Sequence, residues 1–154
     1  MRYLIALLAC AGIVVSVLAL RVHNQAPGDA PPCAVTERFD CGAVNHSRYA
    51  VFPPRTFDED PNSTRVHIPV AVLGVAGYAL IAAFALLGRM GIVLELAQVG
   101  FFFAAFLTYI EAYVLQKWCI YCLWSQAIVA AIFALAVAVL LWRWRTRRRH
   151  LEAA

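Results

Sequence analysis

Four long apolar blocks limit the folds that this 154-residue chain can adopt. Each block is close to the ~20 residues that an α-helix needs to cross about 30 Å of hydrocarbon. The chain is also 63% hydrophobic and only 14% charged, a balance typical of a lipid-embedded protein rather than a soluble domain. The sequence therefore predicts an all-α integral membrane protein, a single domain over residues 1–154 whose four-transmembrane-helix bundle uses spans at 3–20, 68–87, 92–115 and 120–142.

The first block also has one feature of a secretory signal, a positive start at Met1 and Arg2. Its apolar run is longer than the core of a usual signal, and no small-residue cleavage box precedes Arg21. We therefore interpret it as a retained span.

The charge pattern predicts the orientation of the bundle. Four spans place both termini on one side, and the basic tail 143–154 marks that side as cytoplasmic by the positive-inside rule. The loop 21–67 and the turn before the fourth span then share the extracytoplasmic side. Because the loop carries acidic and basic residues together, the net charge of +4 reports topology and not nucleic-acid binding.

The long loop begins with turn formers at 25–32, which end the first helix. Residues 34–49 then mix polar and apolar side chains, which predicts a short amphipathic helix on the membrane surface above the bundle. Pro69 suits the first turn of the second span, where a missing N–H costs nothing. Residues 88–91 predict a tight turn between antiparallel second and third spans.

Four of the five cysteines map to the extracytoplasmic side, and Cys10 lies inside the first span as a small hydrophobic residue. Cys33 and Cys41 are in the loop, whereas Cys119 and Cys122 form a Cys-X-X-Cys pair that opens the fourth span. Such a pair is typical of thiol–disulfide exchange. Two structural disulfides or a zinc site remain alternatives. The Cys33 to Cys41 spacing and the lack of a suitably placed histidine argue against zinc, so no metal ligand is predicted.

The position of each thiol suggests a division of roles. If Cys119 caps the fourth helix, the helix dipole and Lys117 would stabilise its thiolate. Cys122 lies one turn deeper, beside Tyr121, at the lipid boundary. A two-electron acceptor dissolved in the membrane, such as a quinone, can reach it there while Cys119 stays open to the loop. For Glu111, in the third span, proton handling and bundle hydrogen bonding remain equally open.

Several segments together carry a family resemblance. The cysteines at 33 and 41 are eight residues apart, and the matching stretches are Cys-Gly-Ala-Val-Asn-His-Ser at 41–47, Ile-Pro-Val-Ala-Val-Leu-Gly at 68–74 and Trp-Cys-Ile-Tyr-Cys at 118–122. Over nearly its whole length the chain resembles the vitamin K epoxide reductase family, including its bacterial homologues. Four cysteines in this order and topology are specific to that pattern.

The resemblance implies an electron relay with four catalytic cysteines. Cys33 would meet a partner thiol, Cys41 would exchange with Cys119, and Cys122 would face a quinone, either ubiquinone or menaquinone. Electrons would pass from the reduced partner to the loop disulfide, then to the Cys119–Cys122 disulfide and finally to the quinone. One dithiol is oxidised for each quinone reduced.

Two positions depart from the vertebrate members of the family. These place an asparagine at the start of the second span and a tyrosine four residues after the last cysteine, where this chain has Val70 and Gln126. Gln126 can still donate a hydrogen bond. The predicted quinone contacts are therefore Val70, Tyr121, Cys122 and Gln126, and the changes weaken the case for epoxide reduction.

Some bacterial relatives carry a fused thioredoxin-like domain, whereas this chain ends at Ala154. The expected partner is therefore a separate exported thioredoxin-fold thiol oxidase, and the expected location is a bacterial inner (plasma) membrane with the cysteines facing the periplasm. The function would be support of disulfide bond formation. The alternatives are reduction of vitamin K or its epoxide in an endoplasmic reticulum membrane, and a non-enzymatic metal-binding or scaffold protein with structural disulfides.

Overall fold

The computed structural model describes residues 1–26, 36–56 and 66–152, so Cys33 lies outside the described residues. Within these ranges the chain is mostly helical. Its elements are helix α1 (Arg2–Asn24), α2 (Cys41–Asn45), strand β1 (Val51–Phe52), β2 (Ile68–Pro69), α3 (Val70–Leu86), α4 (Met90–Tyr109), a π-helical turn (Ile110–Leu115) and α5 (Ile120–Glu152).

Three helical segments are long and apolar enough to cross a membrane: Arg2–Asn24, Met90–Leu115 and Ile120–Arg149. The fourth apolar helix, α3, has 17 residues and is about 25 Å long. Large apolar side chains cover the outside of the bundle, among them Leu7, Leu87, Val99, Phe102 and Trp142. Such a surface needs lipid around it. The prediction of a mostly helical membrane protein is confirmed, and the count of four spans stays a prediction.

The four long helices pack in a closed ring. Helix α1 lies between α3 and α5, and α4 contacts the other faces of the same two helices. The helices share an apolar core, in which Ile5, Val93 and Ile132 are fully buried. Small residues bring the helices together, since a Cβ atom at Gly12 would lie 2.5 Å from the ring of Tyr78. Close approach of this kind is a main source of helix association in lipid.

A glycine ends α3 and reverses the chain into α4. Gly88 has a φ of +73°, a left-handed conformation that favours glycine. The N–H of Arg89 donates to the Phe84 carbonyl at 2.9 Å, and that of Gly88 donates to Ala85 at 3.0 Å. These two bonds satisfy carbonyls left free at the helix end. The tight turn agrees with the antiparallel arrangement predicted for these helices.

Several element boundaries differ from the predicted spans. Ile68–Pro69 forms a short antiparallel pair with Val51–Phe52, so Pro69 is the N-cap of α3 and not part of its first turn. The third span begins earlier, at Met90, and its last six residues form the π-helical turn. Helix α5 continues to Glu152 through the basic segment, because arginine is a good helix former.

The amphipathic helix predicted over residues 34–49 is much shorter in the structure, where only Cys41–Asn45 is helical and residues 34–35 lie outside the described part. Asp40 sets its start, because its carboxylate accepts a hydrogen bond from the N–H of Ala43 at 3.0 Å. Helix α2 packs against α1, with Cys41, Val44 and Asn45 buried. It therefore covers the end of the bundle as part of a small core.

Candidate active site

The loop before α2 is attached to the turn before α5. Phe39 and Trp118 form a parallel bridge, in which the N–H of Trp118 donates to Arg38 at 2.7 Å and the N–H of Asp40 donates to Trp118 at 3.1 Å. These bonds join segments about 80 residues apart and place Cys41, the next residue, beside the head of α5.

Three of the four predicted catalytic cysteines lie within the described residues, and the structure brings them together. Cys41 and Cys119 are both fully buried and share one small apolar cluster, against which the half-buried Cys122 packs. Cys41 is disulfide-bonded, whereas Cys119 and Cys122 are free thiols. Cys10, also a free thiol, is exposed on α1. The site therefore places an oxidised loop cysteine against a reduced Cys-X-X-Cys pair.

Cys119 occupies the N-cap position of α5, as the sequence suggested. Its sulfur accepts a hydrogen bond from the N–H of Cys122 at 3.4 Å, and its carbonyl accepts one from Leu123 at 3.0 Å. The N-terminus of a helix favours negative charge. Lys117, which was also expected to stabilise the thiolate, donates its ammonium hydrogen bond to the Glu37 carbonyl instead.

The surroundings of Cys119 favour its thiolate form. The Cys122 thiol donates a hydrogen bond to the Cys119 sulfur and holds the pKa of Cys119 below its usual value, assisted by backbone N–H groups of Cys122 and Tyr121. Burial and the charge of Glu111 act in the opposite direction and are outweighed. Cys119 is therefore the more nucleophilic thiol of the pair at neutral pH.

The lowered pKa gives a pH prediction. The Cys119 thiolate should persist below the pKa of an ordinary thiol and disappear only as the pH falls through the lowered value. The ultraviolet absorbance of thiolate in the reduced protein, titrated in detergent, measures this. In Cys122→Ala the strongest hydrogen bond to the sulfur is lost, so the Cys119 transition should move to higher pH. An unchanged transition would contradict this assignment.

Asn45 is a site residue that the sequence analysis missed. Its side-chain N–H donates to the Cys41 carbonyl at 2.9 Å and to the Cys119 sulfur at 3.6 Å, and the side chain is buried. The N–H of His23 on α1 donates to the Asn45 carbonyl at 2.6 Å, which fixes the end of α2. The available signal was its spacing, since a residue four positions after Cys41 lies on the same face of a helix.

We expect Asn45→Ala to slow thiol exchange at Cys119 by about tenfold, because a hydrogen bond to a charged group contributes about 1.5–3 kcal/mol. The measurement is the rate at which a small dithiol reduces the Cys119–Cys122 disulfide, followed by stopped flow. Asn24→Ala is the matched control, since Asn24 is exposed at the end of α1. Equal rates in both variants would remove Asn45 from the site.

Glu111 lies in the π-helical turn, a type of irregularity often found at functional sites. Its side chain is 2% exposed, and one carboxyl oxygen, Oε2, accepts a hydrogen bond from the N–H of Cys119 at 2.9 Å. The side chain also lines the same cavity as Cys122. Of the two roles left open for this residue, hydrogen bonding within the bundle is thus present, and its partner is the backbone of Cys119.

A cavity of about 680 Å³ opens between the helices next to Cys122. Its size is in the range of small-molecule sites, and its wall is mostly apolar. Of the four predicted quinone contacts, Cys122, Tyr121 and Val70 line it. Gln126 does not, and its buried side-chain oxygen has no hydrogen-bond partner among the described residues.

Two hydroxyl groups that the sequence analysis did not single out also line this cavity. The Tyr78 hydroxyl donates to the Ser125 carbonyl at 2.8 Å and lies 3.0 Å from the Ser125 hydroxyl oxygen. Ser125 follows Cys122 by three residues on α5 and therefore shares its helix face. These hydroxyls, rather than Gln126, supply polar groups in this part of the cavity wall.

The comparison with known families matches residues 3–137 to the model of the vitamin K epoxide reductase family. The comparison with curated proteins gave no significant match. The family match covers α3, α4, nearly all of α1, the first half of α5 and both parts of the thiol site. With its buried cysteines and membrane helices, the chain therefore belongs to the vitamin K epoxide reductase family, a family of membrane oxidoreductases linked to quinone or vitamin K chemistry.

Proposed function

We propose that this protein is a thiol:quinone oxidoreductase that supports disulfide bond formation. It accepts electrons from a separate thioredoxin-fold partner through Cys33 and Cys41, passes them to Cys119 and Cys122, and delivers them to a quinone in the membrane. The observation that carries this proposal is the burial of disulfide-bonded Cys41 in the same cluster as the free thiol of Cys119.

The first transfer is thiol–disulfide exchange. A partner thiolate attacks the loop disulfide at Cys33, and the Cys41 thiolate that is released attacks the Cys119–Cys122 disulfide at Cys119. Each step breaks one S–S bond and forms another. The shared hydrogen-bond donor, Asn45, contacts both the Cys41 backbone and the Cys119 sulfur, which supports exchange between these two residues.

The second transfer takes place at the cavity. Cys122 lines it, whereas fully buried Cys119 does not. The apolar wall suits a quinone ring that arrives from lipid, and the volume is sufficient for one. Oxidation of the dithiol to the disulfide releases two electrons and two protons, which are the requirements for reducing one quinone to quinol.

The proposed setting is a four-span topology in a bacterial inner membrane. The arginines after Trp142 would lie in the cytoplasm, and the cysteine cluster would face the exterior, where partner proteins are exported. Helix α3, although short, completes the ring with the three longer helices. The family description also keeps vitamin K and its epoxide as alternative substrates.

The test uses protein purified in detergent, a reduced thioredoxin-fold donor and a soluble quinone, with quinol absorbance as the readout. We expect one quinol for each donor dithiol, and Cys10→Ala should retain full turnover because Cys10 lies away from the site. Stoichiometric zinc without turnover would support the metal-binding or scaffold alternative. Turnover with vitamin K epoxide but not with quinone would assign the epoxide activity instead.

A separate experiment tests whether the two cysteine pairs lie on the same side of the membrane. An impermeant thiol reagent, applied to intact cells after reduction, should reach Cys33 and a cysteine introduced by Lys117→Cys from the same side, since Lys117 lies two residues before the fully buried Cys119. Labelling from opposite sides would exclude the relay.

A further inference from the structure

The Glu111 carboxyl group is buried beside the cysteines, and electron transfer between the cysteines does not by itself explain its position. The side chain is 2% exposed and lines the cavity beside Cys122. Among the described residues that line this cavity, none is lysine or arginine, and its histidine, His23, is bonded to the Asn45 carbonyl. A buried carboxylate without a cationic partner is costly, which favours a carboxyl group that carries a proton for part of the cycle.

We propose that Glu111 is the proton carrier of the site, holding one of the two protons that accompany the electrons from the dithiol to the quinone. The proposal rests on the proposed function, because it names the group that completes quinone reduction. Glu111 would thereby act on the reacting groups directly, since its side chain lines the cavity that takes the quinone and is bonded to the N–H of Cys119.

The geometry gives the two carboxyl oxygens different roles. Oε2 is held by the N–H of Cys119 at 2.9 Å, which orients the group. The side chain lines the cavity together with Cys122, so a proton on the carboxyl can pass towards a bound quinone. Glu95 is the other carboxyl that lines the cavity. It precedes Glu111 by 16 residues, about 24 Å along a helix, and is too distant to act on Cys122.

The atoms and electrons balance over one cycle. Before the reaction, Cys119 is a thiolate, Cys122 is a thiol and Glu111 is protonated. Two electrons leave the sulfurs for the quinone as the Cys122 S–H bond breaks and the Cys119–Cys122 S–S bond forms. The quinol receives one proton from Cys122 and one from Glu111, which is left as a carboxylate.

The return half of the cycle restores the proton. When the loop dithiol reduces the Cys119–Cys122 disulfide, two electrons and two protons enter the pair. One proton goes to the Cys122 sulfur and the other to Glu111, while Cys119 remains a thiolate. The net charge of the three groups is the same before and after quinone reduction, so the buried site gains no uncompensated charge.

The experiment is a single turnover of pre-reduced protein in detergent micelles, mixed with a soluble quinone and followed by quinol absorbance. Glu111→Gln keeps an oxygen that accepts from the Cys119 N–H but cannot carry the proton, and we expect it to be about 100-fold slower than wild type. Glu111→Asp should recover most of the rate. Glu37→Gln is the control, because it removes an exposed carboxyl outside the cavity.

A second variant separates proton transfer from structure. Glu111→Ala leaves space beside Cys122, and added acetic acid should raise its rate in proportion to concentration. A residue that only holds the backbone would show no such rescue. This variant also decides the question if Glu111→Gln fails to fold, since rescue supports the proposal and a folded protein without rescue overturns it.

The outcomes distinguish the two proposals. If wild type and Glu37→Gln form no quinol, the proposed function fails. If both turn over and Glu111→Gln is within about threefold of them, far less than the factor of 10²–10⁴ typical of acid–base catalysis, only the role of Glu111 fails. A loss of rate in Glu95→Gln but not in Glu111→Gln would also overturn the role proposed for Glu111.

Discussion

Cys122→Ala is expected to lower the rate of quinone reduction at least about 1,000-fold, because residues that act as one chemical unit lose nearly the whole effect when one is removed. Cys122 is the only one of the two free site thiols that lines the cavity, and it donates the hydrogen bond that favours the Cys119 thiolate. Without it, no sulfur remains to form the final disulfide. Turnover of the purified variant with donor and quinone measures the effect.

The same variant should accumulate an intermediate once Cys33 is also removed. Cys119 can still form a disulfide with Cys41, and without Cys122 the thiol that remains to resolve that bond is Cys33. Non-reducing mass spectrometry should therefore detect a Cys41–Cys119 disulfide after oxidation of the double variant Cys33→Ala, Cys122→Ala. Cys10→Ala is the matched control and should show neither the block nor the linkage. Turnover that persists in Cys122→Ala would exclude its proposed role.

Gly12→Leu is expected to reduce the free energy of unfolding by about 3 kcal/mol or more, the upper end of what overpacking costs. A Cβ atom at this position would lie 2.5–2.6 Å from three ring atoms of Tyr78, and the ring cannot withdraw easily because Tyr78 is buried and bonded to Ser125. Helices α1 and α3 would have to separate. Thermal unfolding in detergent, followed by tryptophan fluorescence, measures the loss.

The control for this substitution is Gly91→Leu. Gly91 lies in the first turn of α4, and a Cβ atom there would meet no atom within 4 Å. Leucine is also a better helix former than glycine, so stability should stay within about 1 kcal/mol of wild type. An equal loss in both variants would show that the close contact at Gly12 is not what limits stability.

Much of the architecture was predictable because the determining signals are local. The length of an apolar run and the charges that bound it predict a membrane helix without reference to any other part of the chain. The helix ends were less accurate. Ile68–Pro69 became a strand because Val51–Phe52 pairs with it, and a partner 17 residues away in sequence is invisible to a local pattern.

The thiol site was predictable in part. The cysteine pairs were visible in the sequence, and so was the N-cap position of Cys119. The hydrogen bond from Asn45 to the Cys119 sulfur joins residues 74 positions apart, and it depends on the bridge between Phe39 and Trp118. Predicting this hydrogen bond would require knowledge of how the loop 21–67 runs across the end of the bundle.

The sequence by itself determined that the chain forms membrane helices and that its reactive cysteines occur as a loop pair and a helix-capping pair, because hydrophobic length and residue spacing act locally. Only the tertiary structure decided that Glu111 bonds to the backbone N–H of Cys119 and that the cavity is lined by Tyr78 and not by Gln126. Those facts depend on how each helix is rotated about its axis in the ring. That rotation is set by packing among all four helices and not by any one segment.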